Sequence, residues 1–336
     1  MTYTDYLNKL IAGTDLSADE TTDVMDQLMD GELTPAQVAA FITALRIKGE
    51  TTDEISAAAL SMRRHATRID AGAPPIVDTC GTGGDGSGTF NISTTAAFIA
   101  AGAGVKIAKH GNKSVSSQCG SADVLAALGV NLDITPDQVG DCVRDIGIGF
   151  LFAPKLHGAM KHAIGPRREL GVRTIFNMLG PLTNPAGATA QVIGVFDAAL
   201  TEVFAEVLNK MGSSRAMVVH GSDHLDEITL TGTTQVSELK DGKVETRQLD
   251  PQEYVGSLCS ADALKGGDAE VNAGILRDIL GGAEGPKADV AKLNAAAAIY
   301  VGGLADDLGA AYGKAGDAIE SGAAKQKLDD LVAATS

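Results

Sequence analysis

The stretch Val77-Asp78-Thr79-Cys80-Gly81-Thr82-Gly83-Gly84-Asp85-Gly86-Ser87-Gly88-Thr89-Phe90-Asn91-Ile92-Ser93-Thr94-Thr95 carries five glycines between Gly81 and Gly88. A short apolar run, Ile76-Val77, enters it, and an alanine-rich segment from Thr94 to Ala103 leaves it. That order reads as a strand, a loop and a helix start. Glycine lets the backbone take positive φ and lets a ligand approach closely. Free N–H groups in such a loop, and at the N-terminus of the helix behind it, attract an anion. The chemistry that fits is a cradle for a phosphate or pyrophosphate.

A second cluster, Lys106-Ile107-Ala108-Lys109-His110-Gly111-Asn112-Lys113-Ser114-Val115-Ser116-Ser117, follows a strand end, where open α/β sheets place ligands. Its lysines and hydroxyls can embrace phosphate oxygens. The third feature is Asp226-Glu227, after Ser222-Asp223-His224-Leu225. Adjacent carboxylates suit a hard cation such as Mg²⁺, which takes oxygen ligands and keeps water and substrate phosphates. Ser93 would add a hydroxyl. Spacing alone favours two exposed acids; a nearby pyrophosphate cradle favours the metal. The fourth is Gly165-Pro166-Arg167-Arg168-Glu169, in which an arginine can present its planar fork to a carboxylate, although a structural salt bridge fits the same pattern. His157 and His162 are five apart, against a helical metal pair. His65, His220 and His224 show no evident partner, so the histidines read as structural or surface groups. No Gly-x-Ser-x-Gly elbow is present, and Cys80 reads as packing.

These residues need a scaffold. At 336 residues the chain has room for two domains, or for one large α/β domain with an addition. It is 44% hydrophobic, with 40 glycines and no Trp, which suits close helix–sheet packing. The net charge of −16 and the lack of basic stripes count against nucleic acid as a partner. Acidic small substrates must be held by local positive charge. The four cysteines form no C-x-x-C pair, which fits a reducing, cytoplasmic setting. Neither a signal peptide nor a membrane span is evident.

Residues 1 to about 68 read as helices only. Ser17-Ala18-Asp19-Glu20 is a capping box. Thr34-Pro35 is a second start signal, ahead of Val38, Phe41, Ile42 and Leu45 on one apolar face. A third helix begins at Thr52. Such faces either pack on one another or pair with a second copy of the chain. Asp70 to Pro75 reads as a linker. Beyond it, strands at Ile76 to Cys80, Val105 to Ala108, Ile146 to Phe152, Val192 to Phe196 and Ala216 to His220 alternate with helices. Those helices are predicted at Thr94 to Ala103, Ala122 to Leu128, Pro136 to Ile146, Leu200 to Met211, Val271 to Leu280, Leu293 to Gly302 and Gly316 to Val332. Alternation of this kind implies a largely parallel sheet covered by helices. Residues 234–249 read as a hairpin with an Asp241-Gly242 turn. The segment 171–185 is expected to cross back to the helical part.

Taken together, these clusters resemble the anthranilate phosphoribosyltransferase family of the tryptophan pathway. The matching text is Asp78 to Asp85, Thr89 to Thr94, Lys109 to Asn112 through Ser116-Ser117, Gly120 to Leu125, Gly165-Pro166-Arg167, Asn177 to Pro185 and Leu225-Asp226-Glu227, so nearly the whole chain is covered. The resemblance implies a small all-helical, dimerising N-terminal domain (1–72, with the return crossing near 171–185). It also implies a large α/β domain (73–336) with a mostly parallel sheet, of the nucleoside phosphorylase-like architecture. By the same resemblance, Gly81, Gly84, Asp85, Thr89, Asn91, Ile92, Ser93 and Thr94 hold phosphoribosyl pyrophosphate. Lys109, His110, Gly111, Asn112, Lys113, Ser114, Val115, Ser116, Ser117 and Ser121 close over its phosphates, Lys109 serving electrostatically. Ser93, Asp226 and Glu227 serve Mg²⁺, with about two ions per subunit. Gly81, Asn112 and Arg167 receive anthranilate, Arg167 facing its carboxylate. Two positions depart from the family pattern: His224 stands where a glycine precedes Leu-Asp-Glu, and Gln118-Cys119 stand where a basic and a small residue are usual. The implied reaction displaces pyrophosphate from ribose C1 by the anthranilate amine and needs no dedicated base. Rival readings are a pyrimidine nucleoside phosphorylase and a non-catalytic paralogue that binds nucleic acid.

Overall fold

The computed structural model describes residues 1–114 and 118–336; Val115, Ser116 and Ser117, three candidates of the phosphate loop, lie outside the described residues. The chain opens with helices α1 (Tyr3–Ile11), α2 (Ala18–Asp30), α3 (Pro35–Lys48) and α4 (Thr52–Arg64). Each starts on a capping box. Thr2, Ser17, Thr34 and Thr51 accept from the amide three residues on, and Asp5, Glu20, Gln37 and Glu54 bond back. Each cap contributes about 1 kcal/mol to holding its helix end. As expected, α4 begins at Thr52, with Thr51 as its cap. Two further helices, Lys161–Leu170 and Phe176–Leu182, pack on α2, α3 and α4. The sequence pattern does not announce them, because each carries an internal proline, Pro166 or Pro181, that normally argues against helix. Burial of Ala163, Phe176 and Leu179 in the bundle core overrides that preference.

The sheet holds β1 (Val77–Gly81), β2 (Ile107–Gly111), β3 (Ile148–Phe152), β4 (Ala190–Gly194), β5 (Arg215–Gly221), β6 (Thr234–Lys240) and β7 (Lys243–Leu249). Their order is β3-β2-β1-β4-β5-β6-β7, parallel through β5 and antiparallel beyond it. Strands covered on both faces are continuous apolar runs whose ends carry no pattern. Accordingly β2 starts two residues later, and β4 two residues earlier, than their sequence signals. The hairpin turns on Asp241 and Gly242, both at positive φ, as a two-residue type I′ turn requires. The single helix expected over Gly316 to Val332 is two, Leu308–Glu320 and Ala323–Thr335, separated at Gly322 with φ +76°. The helix from Pro136 ends its α form at Asp141 and closes with a π turn, Cys142–Ile146.

On one face of the sheet, α5 (Ile92–Gly102) packs against the helix Pro286–Val301 through alanines, Ala96 and Ala97 meeting a partner that buries Ala295 to Ala298. A side chain at Gly102 would enter the backbone of Ala323 and Ala324, so a glycine there sets the approach of α5 to the helix Ala323–Thr335. On the other face, Cys80, Ile193, Val195, Phe204 and Val218 form one core with Phe41, Leu45 and Ile55 of the bundle. The helical part is therefore fused to the underside of the sheet by shared apolar burial.

From β1 the chain runs outward to β2 and β3; it then returns across to β4 and continues to β5. The order of strands thus reverses between β1 and β4, and a crevice opens beyond their carboxyl ends. Gly81, the last residue of β1, lies in register with Gly194, the last of β4. The glycine loop leaves the sheet at that point.

Candidate active site at the sheet switch point

The loop after β5 delivers Asp226 and Glu227 to the same place. Asp226 Oδ2 accepts from the Gly83 N–H at 2.8 Å, and Glu227 Oε1 accepts from the Ser93 N–H at 3.0 Å. The two carboxylates therefore cap the glycine loop and the first turn of α5, one each. This packing admits no side chain at two glycines. A Cβ at Gly81 would strike the Asp226 carboxylate, and one at Gly194 would strike the Asp226 carbonyl. Gly194 has no signal in its own sequence context; it is demanded by a strand pairing that only the fold creates.

Both carboxylates are buried and repel each other. Desolvation first, then the negative charge of Asp85, pushes Asp226 up to about 6. Desolvation, then Asp226, pushes Glu227 up to about 8. A divalent cation relieves this arrangement, and the donor set fits it: two carboxylates, with the Ser93 hydroxyl on the adjoining helix turn. Among the described residues no three His, Cys, Asp or Glu side chains converge on one metal position. Lys109 lies beneath, 4% exposed, donating to the Thr79 carbonyl and, at 3.3 Å, to Ser93 Oγ. Burial lowers its pKa, and the carboxylates around it oppose that shift.

The N–H groups of Gly84, Asp85 and Gly86 have no partner among the described residues. Gly83, Gly84, Gly86 and Gly88 all take positive φ, a conformation that favours glycine. Asp85 bonds Ser87 through its side chain. Thr89 lies opposite Lys265 in a bridge flanked by bonds from Phe90 N to the Leu264 carbonyl and from Gly266 N to the Gly88 carbonyl. Ile92 and Thr94 have their side chains in the core.

An amide relay fixes Asn91. Asn272 accepts from Gly267 N at 2.8 Å and donates to Asn91 Oδ1 at 3.0 Å; Asn91 then donates to the Cys119 carbonyl at 3.2 Å. Asn272 is buried on the helix expected over Val271 to Leu280, where sequence reasoning gave it no role; the paired glycines Gly266-Gly267 were the available signal. The loop carrying Asn112, Lys113 and Ser114 is closed at its neck by Asp123, which accepts from both Ser114 N (3.0 Å) and Gly120 N (2.9 Å). Ser121 Oγ accepts from Asn112 N at 3.2 Å, and a Cβ at Gly111 would strike that hydroxyl. At the departure Gln118-Cys119, the Cys119 thiol donates to Asn91 Oδ1 at 3.4 Å. His224 takes φ +69°, so the turn normally given to glycine is kept by a histidine.

His157, read from sequence as a structural or surface group, has a partner: its Nε2 lies 3.1 Å from His110 Nε2, and both rings are buried. Burial, then the neighbouring imidazole, holds His110 down at about 3, and burial holds His157 at about 4, so the pair is neutral at physiological pH. His65 and His220 are also partnered, by Asp30 and by the Val195 carbonyl. Next to this pair, Asn184 Nδ2 ties buried Asp78 to the Ala108 carbonyl, each at 2.8 Å. Arg167 lies on the helix Lys161–Leu170, its Cζ 5.2 Å from the Phe176 ring centroid. It has no acidic partner among the described residues, and desolvation lowers its pKa. The salt-bridge reading of Arg167 thus has no acid to support it. A half-buried fork without a counter-ion is poised for an anionic group.

The descriptions of the glycosyl transferase family match this chain in two parts, the helical bundle domain over residues 4–66 and the a/b domain over 73–325. An anthranilate phosphoribosyltransferase from Desulfatibacillum aliphaticivorans is 54% identical over 330 residues, covering 98% of each chain. The crystal structure of the anthranilate phosphoribosyltransferase of Thermus thermophilus superposes with a TM-score of 0.94 at 44% identity, covering 98% of this chain and 99% of that one. The enzyme of the same name from Saccharomyces cerevisiae, in complex with PRPP and Mg, gives 0.89 at 29% identity, covering 99% and 97%. The yeast protein has also been solved with 4-fluoroanthranilate.

Proposed function

The chain belongs to the anthranilate phosphoribosyltransferase family, and on that premise we propose that it transfers the phosphoribosyl group of 5-phosphoribosyl 1-pyrophosphate to the amine of anthranilate. The products are N-(5-phosphoribosyl)anthranilate and pyrophosphate, a step of tryptophan biosynthesis. One observation carries the reading. Asp226 and Glu227 grip the glycine loop and the N-terminus of α5 respectively, so N–H donors for a diphosphate and carboxylates for its cation share one crevice.

The N–H groups of Gly84, Asp85 and Gly86, with the first turn of α5, are suited to the diphosphate. Ser93, Asp226 and Glu227 would hold Mg²⁺, about two ions per subunit. Bound there, Mg²⁺ supplies charge neutralisation for the departing pyrophosphate. Thr89, Asn91 and the loop from Lys109 to Ser121 complete the donor site, Asn91 held rigid by Asn272 and Lys109 supporting Ser93 from below. Arg167 would face the anthranilate carboxylate, with Gly81 and Asn112 as further contacts of that substrate. Alignment and leaving-group stabilisation supply the catalysis, and an aromatic amine gives up its proton readily once it carries positive charge. The neutral His110–His157 pair fits a site without a strong base. Loss of anthranilate fluorescence with phosphoribosyl pyrophosphate and Mg²⁺ tests the assignment; turnover of a pyrimidine nucleoside with phosphate instead would replace it.

Residues 1–72 and 73–336 are proposed as the two domains, with hinges at 70–75 and 171–185. A homodimer through the helical domain is also proposed. It is supported by an apolar groove of about 550 Å³, lined by Leu7, Ile11, Ala40, Thr43, Ile47 and Leu170, in which Ile11 is 70% and Ile47 81% exposed. Four cysteines that form no disulfide with one another support a reducing, cytoplasmic setting.

A further inference from the structure

Arg173 has no part in the contacts assigned above. It follows the helix Lys161–Leu170, just past Gly171, on the side of the molecule that packs with the bundle. From there it reaches the glycine loop: Nη2 donates to the Gly84 carbonyl at 2.7 Å, and Cζ lies 3.9 Å from the centroid of the Phe196 ring, just past the end of β4. A Cβ at Gly84 would come within 3.1 Å of that nitrogen.

We propose that Arg173 is a positioning residue that sets the conformation of the glycine loop from the helical side. The reasoning is local. Gly83 and Gly84 are consecutive residues at φ +66° and +78°, where the backbone has several near-equal alternatives. Two grips select one of them. Asp226 holds the Gly83 N–H, and Arg173 holds the Gly84 carbonyl. A trans peptide is planar, so its C=O and N–H point in opposite directions. Anchoring the Gly84 carbonyl on the guanidinium therefore aims the Asp85 N–H away from Arg173, and that N–H has no partner among the described residues. Were the peptide to turn over, a carbonyl oxygen would face the diphosphate in place of a donor. Stacking on Phe196 keeps the guanidinium plane fixed while it does this. The inference rests on the diphosphate reading of the loop.

The test compares wild type, Arg173→Ala and Arg173→Lys in two ways. In steady-state kinetics, Arg173→Ala raises the KM for phosphoribosyl pyrophosphate about tenfold, leaves the KM for anthranilate within about twofold, and Arg173→Lys falls between. In ligand-free protein labelled with ¹⁵N-glycine, Arg173→Ala moves the amide resonances of Gly83, Gly84 and Gly86. An unchanged donor KM overturns the proposal. So does a raised donor KM with unmoved glycine resonances, which makes Arg173 a direct ligand of the substrate. If the alanine variant does not fold, the lysine variant carries both comparisons. A wild type inactive in the assay would count against the proposed reaction, while the resonances still test the grip on Gly84.

Discussion

Asp226 and Gly83 are 143 residues apart in the chain and 2.8 Å apart in the fold, joined by a hydrogen bond from a loop amide to a carboxylate. The bond ties the loop after β5 to the loop after β1, across β4. It makes the cation side and the anion side of the crevice one unit, so that disturbing either disturbs both.

Replacing Asp226 by Asn and Glu227 by Gln keeps the shape of both side chains and removes both charges. Turnover at limiting Mg²⁺ should fall about a hundredfold, and the Mg²⁺ concentration for half-maximal rate should rise. Rates measured across a Mg²⁺ series check this; an unchanged dependence removes both residues from the metal site.

The same pair gives a pH dependence. Both carboxyl groups have folded-state pKa values raised above the ordinary range, to about 6 and about 8. A raised acid is bound to its proton more tightly in the fold than in the unfolded chain. Its favourable contribution is complete below about pH 4 and is lost as pH rises through the raised values. Mg²⁺ competes with those protons. The Tm gain on adding Mg²⁺ should therefore be larger at pH 8 than at pH 5.5, and the double variant should lose that difference. Differential scanning fluorimetry in both buffers gives the answer.

Arg167→Ala should raise the KM for anthranilate by about ten- to a hundredfold, the usual cost of losing a hydrogen bond to a charged group. The KM for the phosphoribosyl donor should change far less. An effect confined to the donor would place Arg167 at the other substrate.

His224→Gly should stabilise the protein. A side chain at φ +69° costs about 1–2 kcal/mol, and glycine returns about 0.5–1 kcal/mol of that through its freer unfolded state. The net gain of about 0.5–1 kcal/mol corresponds to a Tm higher by about 1 °C. Calorimetry of the two proteins measures it.

Ile47→Glu places a charge on the most exposed large apolar residue of the groove between α1 and α3. Sedimentation velocity should show wild type as a dimer and the variant as a monomer at micromolar concentration. A wild type that sediments as a monomer dismisses the proposed interface.

Much of this molecule was legible from local chemistry. Ser17 with Glu20 and Thr34 with Pro35 marked helix starts because caps act within one turn. Gly83 and Gly84 marked a left-handed loop because only glycine takes two such residues in succession without strain. Asp241-Gly242 marked a hairpin because a type I′ turn needs positive φ at both central residues, which Asp-Gly tolerates. Asp226-Glu227 and Arg167 stood out because charged groups with no helical or strand periodicity invite a chemical use.

What local patterns could not supply was everything created by contact between distant segments. Gly194 looks like any glycine until its strand pairs with β1 and Asp226 is laid across it. His157 has no nearby partner in the chain; His110 becomes one only when β2 and β3 lie side by side. Asn272 and Arg173 act through Asn91 and Gly84, each reached over long stretches of chain. The residue types set which chemistry was possible, because charge, hydroxyl and backbone freedom belong to the residue itself. Which of those groups meet, at what depth and with what shift in proton affinity, was decided by the strand order and the burial it imposes.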